Sequence, residues 1–165
     1  MIKSPFRPLA LIVALAGLGL AGVAAAAETP VKFSLDWKFE GPSAPFLLAM
    51  EKGYFTEEGL DVTIDTGAGS VEPINRVASG AYDMGFGDIN SVIKFNDQNP
   101  STPLKSIYMV YNKPAFAIVG RKSLGVSAPK DLEGKKLGAP APDGAYAQWP
   151  IFVEANGIDA DKVTI

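Results

Sequence analysis

From Val31 to Tyr111 short apolar runs alternate with segments of helical periodicity, separated by tight turns of glycine, proline, serine and aspartate. Val31 to Leu35 reads as a first strand. Pro45 opens a helix, where its missing amide costs nothing. Phe46, Ala49, Met50 and Tyr54 recur at helical spacing. Gly53 ends it. Leu60 to Asp65 follows as a second strand, with Leu60, Val62 and Ile64 on one face. After Gly67-Ala68-Gly69-Ser70 comes a second helix, capped by Ser70 and stopped by Gly80. Tyr82 to Phe86 is a third strand, and Asp88 caps a third helix. Asn96 to Pro103 breaks that helix, and Leu104 to Tyr111 is a fourth strand. Alternation with connections this short predicts an α/β fold, a mostly parallel sheet covered by helices.

In such sheets ligands lie outside the carboxyl ends of the strands. The residues least explained as core fall there. Trp37 and Phe39 follow the first strand among Asp36, Lys38, Glu40 and Gly41. A ring at a cleft mouth can stack on a flat ligand; packing under the first helix or within the loop is the plain alternative. Gly67, Gly69 and Ser70 lead into a helix N-terminus, where free amides attract anions or carbonyls, or form an ordinary capped turn. The stretch lacks the lysine-serine pair of a Walker loop. Asp88 is an N-cap or a ligand contact. Asn90 both donates and accepts, which suits a heterocycle edge, or it is a solvated helix start.

The register changes after Asn112-Lys113-Pro114. Ala115 to Gly120 reads as a strand, Leu137 to Ala139 as a short one, and Ala145 to Ala155 as a helix ended by Asn156-Gly157. Tyr111 lies near this junction, lining a cleft or packing in a hinge. Asp143-Gly144 precedes the last helix and should face the first half; Asp143 caps the helix or binds a ligand amine. Trp149 reads as packing within the second half. Val163 to Ile165 looks like a strand just beginning. The expected domains are therefore residues 28–114 as a first lobe and 115–165 as the start of a second, incomplete within this chain.

Residues 1–27 carry Lys3 and Arg7, an uncharged apolar run from Leu9 to Ala26, and Ala25-Ala26-Ala27 before Glu28. That is the pattern of a cleavable secretory signal peptide. The chain has no cysteine, so no disulfide and no lipidated anchor, and a periplasmic location is expected. The formal charge is −3 and grows more negative without Lys3 and Arg7, which argues against nucleic acid. Histidine is absent as well. That removes Ser-His-Asp and Cys-His chemistry, His-based zinc sites and the commonest general base. The expectation is a binder, not an enzyme, with no catalytic residues, no metal and no cofactor.

Three stretches carry a family resemblance: "AMEKGYFTEEGLDVTI" (49–64), "RVASGAYDMGFGD" (76–88) and "SAPKDLEGKKLGAPAPDGA" (127–145). In this order they resemble the type II periplasmic substrate-binding proteins of ABC importers for nitrate, sulfonate, taurine and thiamine-pyrimidine ligands. Asp36-Trp37 resembles the pyrimidine- and flavin-type binders more than the sulfonate binders. The resemblance implies two α/β lobes on a two-strand hinge, about twice the length seen here, a monomer that captures a small molecule, and an inner-membrane permease as partner. One branch makes the thiamine pyrimidine from its own histidine; this chain departs from it. The expected ligand is a flat heteroaromatic nutrient. The alternative is a small oxyanion, though no arginine lies among the candidate cleft residues.

Overall fold

The computed structural model describes residues 27–165. The expected signal peptide, apart from Ala27, lies outside the described residues. A first strand, β1 (Thr29–Ser34), pairs in parallel with β2 (Leu60–Asp65) along its whole length, Thr29 opposite Leu60 and Ser34 opposite Asp65. On its other side β1 pairs in parallel with β3 (Met84–Gly85), giving the order β2-β1-β3. The chain between β1 and β2 forms α1 (Ala44–Glu51) and the short α2 (Tyr54–Glu57). The chain between β2 and β3 forms α3 (Val71–Ala78), and α4 (Ile89–Gln98) follows β3. The sheet therefore grows outward from β1 in both directions. In such a sheet the ligand crevice is expected beyond the strand ends where the order reverses, here beside β1 and β3.

β3 is shorter than the predicted Tyr82–Phe86 because side chains and flanking loops replace part of its ladder. Lys32 donates its amide to Asp83 Oδ2 at 2.8 Å, and Asp83 N and Phe86 N bond Lys32 O and Ser34 O at 3.0 and 2.9 Å. The helix stops read from glycine hold: Gly53, Gly80 and Gly157 sit at φ 75, 74 and 61°. The apolar positions read at helical spacing after Pro45 do not share one buried face. Phe46 and Ala49 are half-buried, but Met50 and Tyr54 are exposed. The breaker after α4 is fastened by Asn96, whose amide bonds both the carbonyl and the amide of Leu104 at 2.9 and 2.8 Å.

The predicted strands Leu104–Tyr111 and Ala115–Gly120 are the largest correction. Both runs are extended but join no ladder, and Tyr108 and Val119 are 81% and 94% exposed. Apolar alternation marks a segment fit to be a strand; a strand also needs a paired edge. This run and the β3 segment line one cavity, and the sheet keeps the order β2-β1-β3 without it.

Residues 126–163 gather separately around Leu132, Ile158 and Val163, with Val126, Leu137, Trp149, Phe152 and Val153 against them. Trp149 stacks on Phe152 with ring centroids 6.0 Å apart, the packing role read for it. The predicted strands Leu137–Ala139 and Val163–Ile165 shrink to one parallel bridge, Lys136 to Thr164. The predicted helix Ala145–Ala155 divides into α5 (Gly144–Ala147) and α6 (Trp149–Ala155), because Pro150 suits a first turn and not a helix interior.

The tightest backbone approach is at Gly67, where an added Cβ would lie 2.3 Å from Leu35 O. Gly67→Ala is expected to lose about 1–3 kcal/mol of stability in urea unfolding. Gly138→Ala, with open space around its Cβ position, is expected to stay within about 0.5 kcal/mol.

Candidate functional site

The loops beyond β1, β2 and β3 are laced together by main chain. Leu35 N donates to Asp65 O at 2.8 Å, Gly69 N to Asp36 O at 2.7 Å and Gly67 N to Trp37 O at 3.2 Å. Ala68 N donates to Glu72 Oε2 at 2.7 Å, and Val71 N to Pro142 O at 3.2 Å. Of the glycine-loop amides that sequence reading offered to an anion, those of Gly67, Ala68 and Gly69 are thus already engaged by the protein. Ser70 is also not the side-chain cap expected: its hydroxyl makes no capping bond to α3. It is buried and accepts from Asp88 N at 3.0 Å, tying the β2 loop to the β3 loop.

Arg76 holds this platform from below. Its guanidinium donates to Ser34 Oγ and Thr66 O, both at 2.8 Å, and pairs with Glu72 at 2.5 Å. It lies 4.9 Å above the Tyr82 ring, whose hydroxyl bonds Asp65 at 3.0 Å. Sequence reading placed Arg76 inside the second helix and gave it no role. Its signal, a Glu-Arg pair four residues apart, looked like ordinary helix surface.

Asp88 caps α4 as predicted, with Oδ2 accepting from Ser91 N at 3.0 Å and Ser91 Oγ at 3.3 Å. Its other oxygen accepts from Asn90 and from Gln148 at 3.3 and 3.4 Å. Asp143 caps α5, accepting from Ala145 N at 3.1 Å. The turn at Asp143-Gly144 does face the first half: a Cβ on Gly144 would lie 2.7 Å from Asp88 Cβ and 2.9 Å from Ser70 Oγ. A Cβ added to Gly69, which sits at φ 118°, would lie 2.4 Å from Pro142 O.

Beside this junction lies a cavity of about 410 Å³. Its inner wall is Asp36, the β3 segment through Phe86, and the start of α4 with Asp88 and Asn90; its outer wall is the extended run from Leu104 to Phe116, including Tyr111. Aromatic rings lead into it: Phe33 meets Phe46 at 5.4 Å, Phe46 meets Phe86 at 5.4 Å, and Phe86 meets the edge of Tyr111 at 6.0 Å. Three of the predicted residues, Asp88, Asn90 and Tyr111, come together here. Gly67, Gly69, Ser70 and Gly144 lie in the packed junction, and Asp143 borders a second groove with Tyr146 and Trp149. Trp37 and Phe39 lie outside the lining, 38% and 51% exposed. Asp36 and Phe86 were missed as site residues: one reads as loop polarity and the other as the end of a strand.

Burial is the first cause that pushes the Asp36 carboxyl above its usual range. The charges of Asp143 and Asp88 push the same way, against its own amide and the Ser70 hydroxyl. Among the described residues no group of His, Cys, Asp or Glu is placed to hold a metal, and no helix is long and apolar enough to cross a membrane.

A parallel sheet with a ligand-sized cavity at its reversal point defines an α/β fold of the periplasmic-binding type. The chain belongs to the NMT1/THI5-like family, whose model matches residues 41–165. It is 32% identical over 136 residues to a formylaminopyrimidine-binding protein of Halalkalibacterium halodurans, covering 81% of this chain and 40% of that protein. It is 31% identical to a 4-amino-5-hydroxymethyl-2-methylpyrimidine phosphate synthase of Aspergillus parasiticus, covering 66% and 31%. A solved structure of a protein from Bordetella bronchiseptica RB50 superposes with a TM-score of 0.56 at 27% identity, over 84% of this chain and 44% of that one. The chain thus spans less than half the length of these relatives. The expectation that the protein is not an enzyme is overturned, because several relatives carry the synthase name, among them one of Saccharomyces cerevisiae at 28% identity. Missing histidine and cysteine exclude particular mechanisms; carboxylate or lysine chemistry needs neither.

A raised carboxyl pKa fixes the sign of a stability effect. Asp36 is easy to keep protonated in the folded chain and costly to ionise there, so its contribution is lost as pH rises through its raised value. Asp36→Asn is expected to raise the melting temperature at neutral pH. The difference should vanish below the ordinary carboxylate range, where both side chains are neutral, and calorimetry across pH checks it.

Proposed function

We propose that the protein captures a small aminopyrimidine in the cavity between β3 and the Leu104–Phe116 run. The observation that carries this reading is the cavity's make-up. Phe86 and Tyr111 offer rings to a flat ligand, while Asp36 and Asn90 offer acceptors and a donor to its polar edge. The formylaminopyrimidine-binding relative supports the ligand class. The oxyanion alternative is disfavoured by the same geometry: the amides of Gly67, Ala68 and Gly69 are taken, and Asp36, Asp88 and Asp143 crowd the junction with negative charge. Trp37 and Phe39, just beyond Asp36, serve in this reading as the outer rim.

The wider setting is also proposed. Residues 1–27 direct export to the periplasm, residues 28–114 and 115–165 belong to two lobes that close on the ligand, and a monomeric, ligand-loaded protein delivers to an inner-membrane ABC permease. The synthase-named relatives favour a second reading, in which the same cavity hosts chemistry on the pyrimidine. Chromatography of the bound ligand after long incubation separates capture from turnover.

Titration of the full chain with 4-amino-2-methylpyrimidine is expected to raise its stability by about 2.7 kcal/mol at a hundredfold excess over Kd. Tyr111→Ala is expected to weaken binding about tenfold. Equal or tighter binding of taurine or nitrate would sink the proposal.

A further inference from the structure

The aminopyrimidine reading leaves open what part of the ligand is recognised; the inference below rests on that reading. We propose that Asp36 is the specificity-determining residue of the cavity, its carboxylate pairing with the basic edge of the bound heterocycle, a ring nitrogen and its neighbouring amino group.

The position is rigid. The backbone around Asp36 is held by Leu35 N on Asp65 O, Gly69 N on Asp36 O and Gly67 N on Trp37 O, at 2.8, 2.7 and 3.2 Å. Gly67 packs so closely against Leu35 and Asp36 that the loop has no room to slide. A side chain that starts from a fixed backbone and lines a cavity can discriminate by geometry. The neighbouring carboxylates are committed elsewhere. Both oxygens of Asp88 take bonds from α4 and Gln148, and Asp143 caps α5. Asp36 caps no helix; its carboxyl accepts only from its own amide and the Ser70 hydroxyl, contacts too weak to offset its burial.

The chemistry follows from what surrounds it. Asp88 at the start of α4 and Asp143 before α5 face Asp36 with negative charge. The cavity lining adds Asp83 before β3, and Lys105, Tyr108, Tyr111 and Lys113 on the outer wall. A ligand with a proton-bearing edge relieves the repulsion at the inner end; a neutral ring without the amino group does not, and an anion adds to it. Two carboxyl oxygens also match an adjacent ring nitrogen and N–H as a two-bond fork. The complex holds one proton between ring and carboxyl. It forms from ionised Asp36 and protonated ring, or equally from protonated Asp36 and neutral ring. Affinity is therefore bell-shaped in pH, with one limb set by Asp36 and the other by the ring.

The test compares two matched pairs, 4-amino-2-methylpyrimidine against 2-methylpyrimidine and benzamidine against benzamide, by calorimetry across pH. The full chain, Asp36→Asn and Asp36→Glu are used, each checked for fold by circular dichroism. The wild type is expected to prefer each basic member about tenfold or more. Asp36→Asn should bring each pair to within about threefold and flatten the acid limb, while Asp36→Glu, which keeps the carboxylate, retains the preference. If Asp36→Asn keeps both preference and pH profile, the inference is overturned. If the wild type binds both pyrimidines equally, the inference falls and the pyrimidine reading stands. Benzamidine selected through Asp36 without any pyrimidine binding would uphold the inference and remove the pyrimidine reading.

Discussion

The structure turns on one close approach of two backbones. Gly67 to Gly69 lie directly against Leu35 to Trp37, so near that a single Cβ on Gly67 would fall 2.3 Å from Leu35 O. Two amides of the loop spend themselves on that neighbour. The contact fixes where β2 stops, where α3 starts and which way Asp36 leaves β1. Arg76 reinforces it by bonding Ser34 and Thr66 at once, so the ends of β1 and β2 cannot separate without breaking a half-buried charged network. Ser70 then carries the constraint to β3 through Asp88 N. The inner wall of the cavity inherits its rigidity from these bonds.

The same economy decides the electrostatics. A helix N-terminus with free amides would be a place for an anion. Here the protein's own carbonyls and the Glu72 carboxylate occupy the loop, and three aspartates gather at its mouth. Asp88 and Asp143 are stabilised where they stand by capping bonds. At Asp36 burial outweighs the bonds its carboxyl takes from its own amide and the Ser70 hydroxyl. The arrangement puts engaged amides and negative charge where the glycine loop had suggested an anion.

The parts legible in the sequence were those governed by local chemistry. Glycine stops, the Asp88 and Asp143 caps and the parallel β1–β2 pair all follow from residue type and period. Asp88 and Asn90 were candidates because strand ends in such sheets are where ligands meet the chain, and Tyr111 because it lies near the junction of the two halves; all three line the cavity. What failed was governed by partners far away in sequence. Leu104 to Gly120 has every local feature of strand and lies unpaired, since pairing depends on an edge and not on propensity. Ser70 looked like a cap, but a buried amide 18 residues on competes for the same hydroxyl. Asp36 and Phe86 went unnoticed because nothing in a loop aspartate or a strand-end phenylalanine says that a cavity opens beside it.

The cavity's two walls differ in kind, and this bears on how it can discriminate. The inner wall is sheet and helix, cross-bonded through Ser70 and Asp88. The outer wall is an extended run with no ladder and exposed apolar side chains. Segments with few buried contacts and no regular hydrogen bonds open at low free energy. Any ligand must therefore order part of the outer wall, and that cost is similar for rings of similar size. Shape alone then separates such rings poorly, because the outer wall adapts to each. Selectivity has to come from groups that do not move with the ligand, and those are the fixed polar positions on the inner wall.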